Sequence, residues 1–251
     1  MFISRKFIPS LFTILNAFCG MMSVIYSAKG EFDEAALFII YASLFDAVDG
    51  LAARLTNSAS KFGVELDSLS DVISFGLAPS ILIYYVYFNQ LGDIGIVMSS
   101  LIMVFAAIRL ARFNVQLTGF EKEKFNGLPA PMTAFTICTY ILFYHNNIFS
   151  ESVSEIFIIS LAFFLPVMMV SRIKYDSIPK PSLHSLKKNP LVFIIIFIGI
   201  ILVIATEGEG SFSICLFYIF SGIIRTGYKT FFGKHKKSDD VNESLEFNKS
   251  K

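Results

Sequence analysis

The sequence predicts an all-α fold, a polytopic membrane bundle of about eight transmembrane helices, and three observations predict it. Of 251 residues 54% are hydrophobic, and they gather into eight runs, near 8–27, 34–54, 69–89, 94–112, 132–148, 154–171, 190–206 and 211–227. Most runs approach the roughly 20 residues that a helix needs to cross a bilayer. The charges between the runs alternate in sign and density along the chain. The charged residues of the second, third and fourth runs lie at or near run ends, where a membrane helix tolerates them.

The first run follows Arg5 and Lys6 and ends in small residues, which imitates a secretory leader. It is longer than a leader core, contains Asn16 and lacks a clear cleavage motif, so it is expected to stay as the first helix. The second and third runs are joined by a polar stretch over 55–68 (Thr56, Asn57, Ser58, Ser60, Lys61). A longer connection over 113–131 ends in Gly127-Leu128-Pro129-Ala130-Pro131, whose prolines disfavour a regular helix there. Residues 173–189 are basic and polar, with Pro179 and Pro181. The expected organisation is one membrane domain over 1–233 and a charged, disordered tail over 234–251, low in apolar content.

Arg5, Lys6, Lys61, Lys122, Lys124, Lys174, Lys180, Lys187, Lys188 and the basic tail from Lys229 fall at the two ends and in the even-numbered gaps. The odd-numbered gaps hold Lys29 and acidic residues such as Glu207 and Glu209. The excess of Lys and Arg places both termini, and the loop between the second and third helices, on the cytoplasmic side of the cell (inner) membrane. The net charge of +1 carries no such information and gives no reason to expect a nucleic-acid partner. Cys19, Cys138 and Cys215 are isolated within apolar runs, which excludes a disulfide framework or a zinc site and leaves packing.

The most informative segment is Asp46-x2-Asp49-Gly50-x2-Ala53-Arg54-x8-Gly63-x3-Asp67-x3-Asp71. A carboxylate at membrane depth is costly and marks an ion, proton or substrate site. Asp46 and Asp49 are nearly one turn apart, as are Asp67 and Asp71, so each pair shares a helix face. The short link between the helices is expected to make them antiparallel neighbours with converging cytoplasmic ends. Four carboxylates so close cannot all stay ionised without cations. An all-oxygen set without nearby His or Cys suits Mg2+ or Mn2+, and Asp46, Asp49 and Asp67 are the expected ligands of two ions that clamp a pyrophosphate. A divalent-cation transporter also uses intramembrane carboxylates, but its site belongs near the bilayer midplane, whereas these aspartates sit at helix ends.

The motif is the signature of the CDP-alcohol phosphotransferases, and the chain resembles that family at every fixed position. The resemblance spans about the first 185 residues. Phe62–Leu69, Arg109-Leu110-Ala111-Arg112-Phe113-Asn114, Gly127–Pro131 and Ser171-Arg172-x2-Tyr175 further resemble the phosphatidylserine synthase branch. That resemblance implies transfer of a phosphatidyl group from CDP-diacylglycerol to L-serine within the membrane lipid, by a homodimer. It implies that Asp71 both touches a metal and acts as general base. Within the motif, Gly50, Ala53 and Gly63 are expected to admit the cytidine, although small residues also serve helix packing. Arg54 is expected at the CDP moiety, with snorkelling to the interface as the alternative. Asn16 needs a buried partner, either a neighbouring helix or the nucleotide. Arg109, Arg112, Asn114, Arg172 and Tyr175 are the candidates for serine or phosphate, since a guanidinium fork matches either anion; positive-inside anchoring is the competing role of the arginines. Glycerol-3-phosphate or inositol phosphate would need the same chemistry with a different acceptor.

Overall fold

A computed structural model describes residues 7–55, 60–117, 127–173, 175 and 190–228. The expected tail over 234–251 and most of the basic stretch over 173–189 lie outside the described residues. The described chain is helical, in the order α1 (Phe7–Lys29), α2 (Phe32–Leu55), α3 (Lys61–Val86), α4 (Gly92–Leu117), α5 (Ala130–Phe143), α6 (Glu151–Val170), α7 (Pro190–Ala205) and α8 (Gly210–Tyr228). Six of these, all but α5 and α7, are long and apolar enough to cross a membrane.

α1 and α2 form a tight antiparallel hairpin. Gly30 has φ +82°, a conformation that costs glycine little. The turn it makes lets the Gly30 and Glu31 N–H groups donate to the carbonyls of Ser27 and Tyr26 and close the end of α1. Asp33 and Glu34 occupy the first turn of α2, where the helix dipole favours negative charge. The inner face of α1 is a stripe of small and polar residues, Thr13, Asn16, Gly20, Ser23 and Ser27. Small side chains let helices approach closely where burial of apolar surface gives no drive. A Cβ on Gly20 would lie 2.6 Å from Ser74 Oγ and 2.9 Å from Ser74 Cα, so α1 and α3 cross at a distance only glycine allows.

α3 starts earlier than the sequence suggests. Ser60 caps it by accepting from the Gly63 N–H at 3.0 Å, so Gly63 and Asp67 lie inside the helix. Residues 61–66 are too polar to register as an apolar run, and the cap is the signal that run-reading overlooks. Directly after Asp71 the helix passes through a π-helical turn, Val72–Leu77, before resuming as α-helix over Ala78–Val86. α2 packs against this turn and the second half of α3, while α1 packs along the whole of α3. The expected pairing of α2 with α3 therefore holds, with α1 packed against both.

α5 is shorter than its apolar run, 14 residues rather than 17, and Pro131 sits in its first turn, where a missing N–H costs nothing. The Gly127–Pro129 segment docks on the end of α6: Gly127 (φ +51°) presses on the Met169 carbonyl, and the Leu128 N–H donates to the Met168 carbonyl at 2.9 Å. Ser171 Oγ donates to the same Met168 carbonyl at 2.8 Å. Two of the four segments that resemble the phosphatidylserine synthase branch are thus joined. α8 packs on α5 and α6 through Phe212, Cys215 and Ile219, all buried; Phe212 lies 5.4 Å from Tyr140, and Phe220 stacks on Phe164 at 6.2 Å. All three cysteines are buried free thiols, as expected of packing residues.

Candidate active site

Three carboxylates converge. Asp46 and Asp49 near the end of α2 and Asp67 near the start of α3 each offer an oxygen, and these oxygens all lie within 4.8 Å of one another. Asp46 and Asp67 are within hydrogen-bonding reach of each other. Asp67 Oδ1 is buried with no hydrogen-bond partner among the described residues, an arrangement that needs an explanation in a native site. A close, all-oxygen donor set with an orphaned carboxylate oxygen fits a hard divalent cation.

α1 supplies the scaffold of this cluster. The Thr13 hydroxyl donates to Asp49 Oδ2 at 2.8 Å, and Asn16 Nδ2 donates to Asp71 Oδ1 at 3.2 Å. Asn16 is itself fixed, because Ser74 Oγ donates to its carbonyl at 2.8 Å. Its Oδ1 is buried without a partner among the described residues. Asp71 lies one turn below Asp67, in electrostatic reach of Asp46, Asp67 and Asp49.

The glycines separate into two kinds. A Cβ on Gly50 would meet nothing within 4 Å among the described residues. Gly63 belongs to the α3 cap, where its Cβ would lie 3.2 Å from Ser60 Oγ. Ala53 and Arg54 continue α2, and their side chains lie outside the described residues.

The later candidates divide by burial. Arg109 on α4 is partly buried, in electrostatic reach of Asp71 and Tyr218, and its Nε has no hydrogen-bond partner among the described residues. Arg112, on the next turn, is exposed, as is Arg172; equal spacing has not given the two α4 arginines equal environments. Asn114 exchanges hydrogen bonds with Ser68 on α3, at 3.0 and 3.2 Å, which ties α4 beside Asp67. Tyr175 donates its hydroxyl to the Ile219 carbonyl at 3.2 Å and lies over Gly222, so it fastens α8. Thr13, Ser68, Ser74 and Tyr218 are site neighbours that the sequence did not single out. Thr13 had a legible signal, since it precedes Asn16 by three residues and shares its helix face; Tyr218 had none.

The described residues thus form an α-helical bundle of membrane-spanning character in which three carboxylates converge from α2 and α3. Residues 6–170 match the CDP-alcohol phosphatidyltransferase family, and the chain belongs to that family, which is generally metal-dependent. Over 233 residues it is 37% identical to the CDP-diacylglycerol–serine O-phosphatidyltransferase of Helicobacter pylori strain 26695, covering 92% of this chain and 96% of the relative. It is 31% identical over 230 residues to the protein of the same name from Methanocaldococcus jannaschii, covering 90% and 98%. It is 40% identical over 173 residues to the archaetidylserine synthase of Methanothermobacter thermautotrophicus, covering 68% and 70%.

Proposed function

We propose that the chain transfers the phosphatidyl group of CDP-diacylglycerol to the hydroxyl of L-serine, giving phosphatidylserine and CMP. The observation that carries this is the convergence of Asp46, Asp49 and Asp67 within 4.8 Å, in a chain whose relatives are named for this transfer or its archaeal counterpart. Asp46, Asp49 and Asp67, with Asp71 beside them, are the residues to hold Mg2+ or Mn2+, two ions in all. Such ions, when bound, neutralise the pyrophosphate and the phosphate that leaves.

Asp71 takes the proton of the acceptor hydroxyl as that oxygen bonds to the diacylglycerol-bearing phosphorus. The bond from that phosphorus to the bridging oxygen breaks, and CMP departs with the electron pair. Among the motif residues there is no Ser, Cys or His to act as a covalent nucleophile, so attack is direct. Asn16 holds Asp71 in register. Gly50, Ala53, Arg54 and Gly63 receive the nucleotide. The carboxylates and both termini are assigned to the cytoplasmic side of the cell (inner) membrane, on the distribution of Lys and Arg, and the family resemblance supports a homodimer.

The test is CMP release by purified protein in micelles containing CDP-diacylglycerol, with serine, glycerol-3-phosphate and inositol phosphate as acceptors. Serine is expected to react at least about tenfold faster than glycerol-3-phosphate at matched concentration, the discrimination that a site fitted to one acceptor's polar groups provides. Equal or faster use of glycerol-3-phosphate overturns the serine assignment.

A further inference from the structure

Ser68 follows Asp67 directly, and one residue turns an α-helix by about 100°, so its hydroxyl leaves α3 beside the carboxylates. There it meets Asn114 on α4. The Ser68 hydroxyl donates to Asn114 Oδ1 at 3.2 Å and accepts from Asn114 Nδ2 at 3.0 Å, so both polar atoms of the amide are engaged with α3. Around Asn114 the helix is uncovered: Ala111, Arg112, Phe113 and Val115 are exposed, and Asn114 alone among residues 111–115 is partly buried. The body of α4 packs instead on the π-helical turn and on Ala78–Val86. At the level of the aspartates, α4 reaches α3 with this amide.

On its other flank the same turn of α3 is held by α1, through Asn16 Nδ2 donating to Asp71 Oδ1 at 3.2 Å. A helical segment bonded on one flank can still roll about its axis; bonded on two, it cannot. The turn fixed in this way carries Asp67, one of whose oxygens lies within 4.8 Å of oxygens of Asp46 and Asp49. Its Oδ1 is buried with no partner among the described residues, so no hydrogen bond at that atom sets its direction. Groups behind the ligands commonly orient a metal site. We propose that Asn114 is a positioning residue rather than an acceptor-binding one, and that with Ser68 it clamps the α3 turn so that Asp67 stays facing Asp46 and Asp49. This rests on the metal reading of the carboxylates above and goes beyond it, since neither Ser68 nor Asn114 is a ligand in that reading.

The test titrates the purified full chain in detergent with Mn2+ alone, followed by electron paramagnetic resonance. It reads the midpoint, which does not depend on how much of a variant is folded. Ser68→Ala, and Asn114→Leu, which keeps the bulk of the amide, are each expected to raise the half-saturating Mn2+ concentration about two- to tenfold, the range of one lost hydrogen bond. Residues that act as one unit are not additive, so Ser68→Ala/Asn114→Leu should bind Mn2+ no more weakly than the weaker single variant. Ser68→Thr keeps the hydroxyl and should titrate like the wild type. At saturating Mn2+ the KM for serine should be unchanged in all four, because a positioning residue removes no contact to the acceptor. An unmoved midpoint in both single variants overturns the clamp and leaves the metal reading intact. So does a raised KM for serine in Asn114→Leu with an unmoved midpoint, which would return Asn114 to the acceptor. Fully additive losses in the double variant overturn it as well. A wild type that takes up Mn2+ no better than Asp67→Asn overturns the metal reading and the clamp with it.

Discussion

The Thr13 hydroxyl donates a 2.8 Å hydrogen bond to Asp49 Oδ2 across the α1–α2 hairpin, with both residues buried. It fixes the carboxylate that stands beside Asp46 and Asp67. Thr13→Val keeps the shape and removes the donor. Leaving a buried acceptor unsatisfied costs about 1–3 kcal/mol, so the Mn2+ concentration for half-saturation should rise roughly five- to 150-fold. Thr13→Ser should restore it. Mn2+ titration of the substrate-free enzyme, followed by electron paramagnetic resonance, measures the shift. An unchanged titration would mean that the bond has no part in shaping the carboxylate site.

Asp49→Asn and Asp67→Asn conserve volume and delete charge. Each should lower CMP release by at least about a hundredfold, as loss of a group that holds a catalytic ion does, while the protein still inserts and purifies. Chelation should stop the unaltered enzyme, and added Mg2+ or Mn2+ should revive it. Near-normal turnover by both variants at saturating metal would remove the carboxylates from the chemistry.

Gly20 is the tightest point between α1 and α3. Gly20→Leu must push the helices apart, because part of what its Cβ meets is the Ser74 backbone at 2.9 Å. Ser74 also holds the Asn16 carbonyl, so the separation withdraws Asn16 from Asp71. Overpacking of this kind costs about 1–3 kcal/mol. The expected outcome is a lower thermal unfolding midpoint in detergent together with a drop in kcat; a variant as stable and as active as the wild type would show that the close crossing has no functional consequence.

Topology can be read without catalysis. In a cysteine-free background, Lys61→Cys should label from the cytoplasmic face and Glu209→Cys from the opposite one, following the distribution of basic residues. Both positions are exposed. Labelling of both from one side would require a different number of crossings between them.

Much of this molecule was legible in its sequence because its two strongest signals are nearly context-free. An apolar run in a membrane protein becomes a helix, since a lipid-facing backbone has no other way to satisfy its polar groups. The motif aspartates lie at helical spacing, so their convergence followed once the two helices met. What stayed hidden depends on contacts distant in sequence. The start of α3 was misplaced because Lys61–Leu66 is polar, and the Ser60 cap rather than an apolar run begins the helix. The spacing of Arg109 and Arg112 suggested a shared role, yet their different burial comes from neighbours on α3 and α8. Tyr218 is one aromatic among 28 Phe and 10 Tyr residues, and nothing local marks it as a neighbour of Arg109.

The π-helical turn at Val72–Leu77 divides α3 into two mechanical parts. In an α-helix each residue turns the next by about 100°, so orientation at one end dictates orientation at the other. A turn that closes from i to i+5 takes in an extra residue and breaks that dictation. The half bearing Asp67 and Asp71 can face α1 and the end of α2 while the half from Ala78 to Val86 faces its own neighbours. The α3 aspartates are thus aimed by a local irregularity in their own helix, and the lower half is free to change its packing partners without steering them off target.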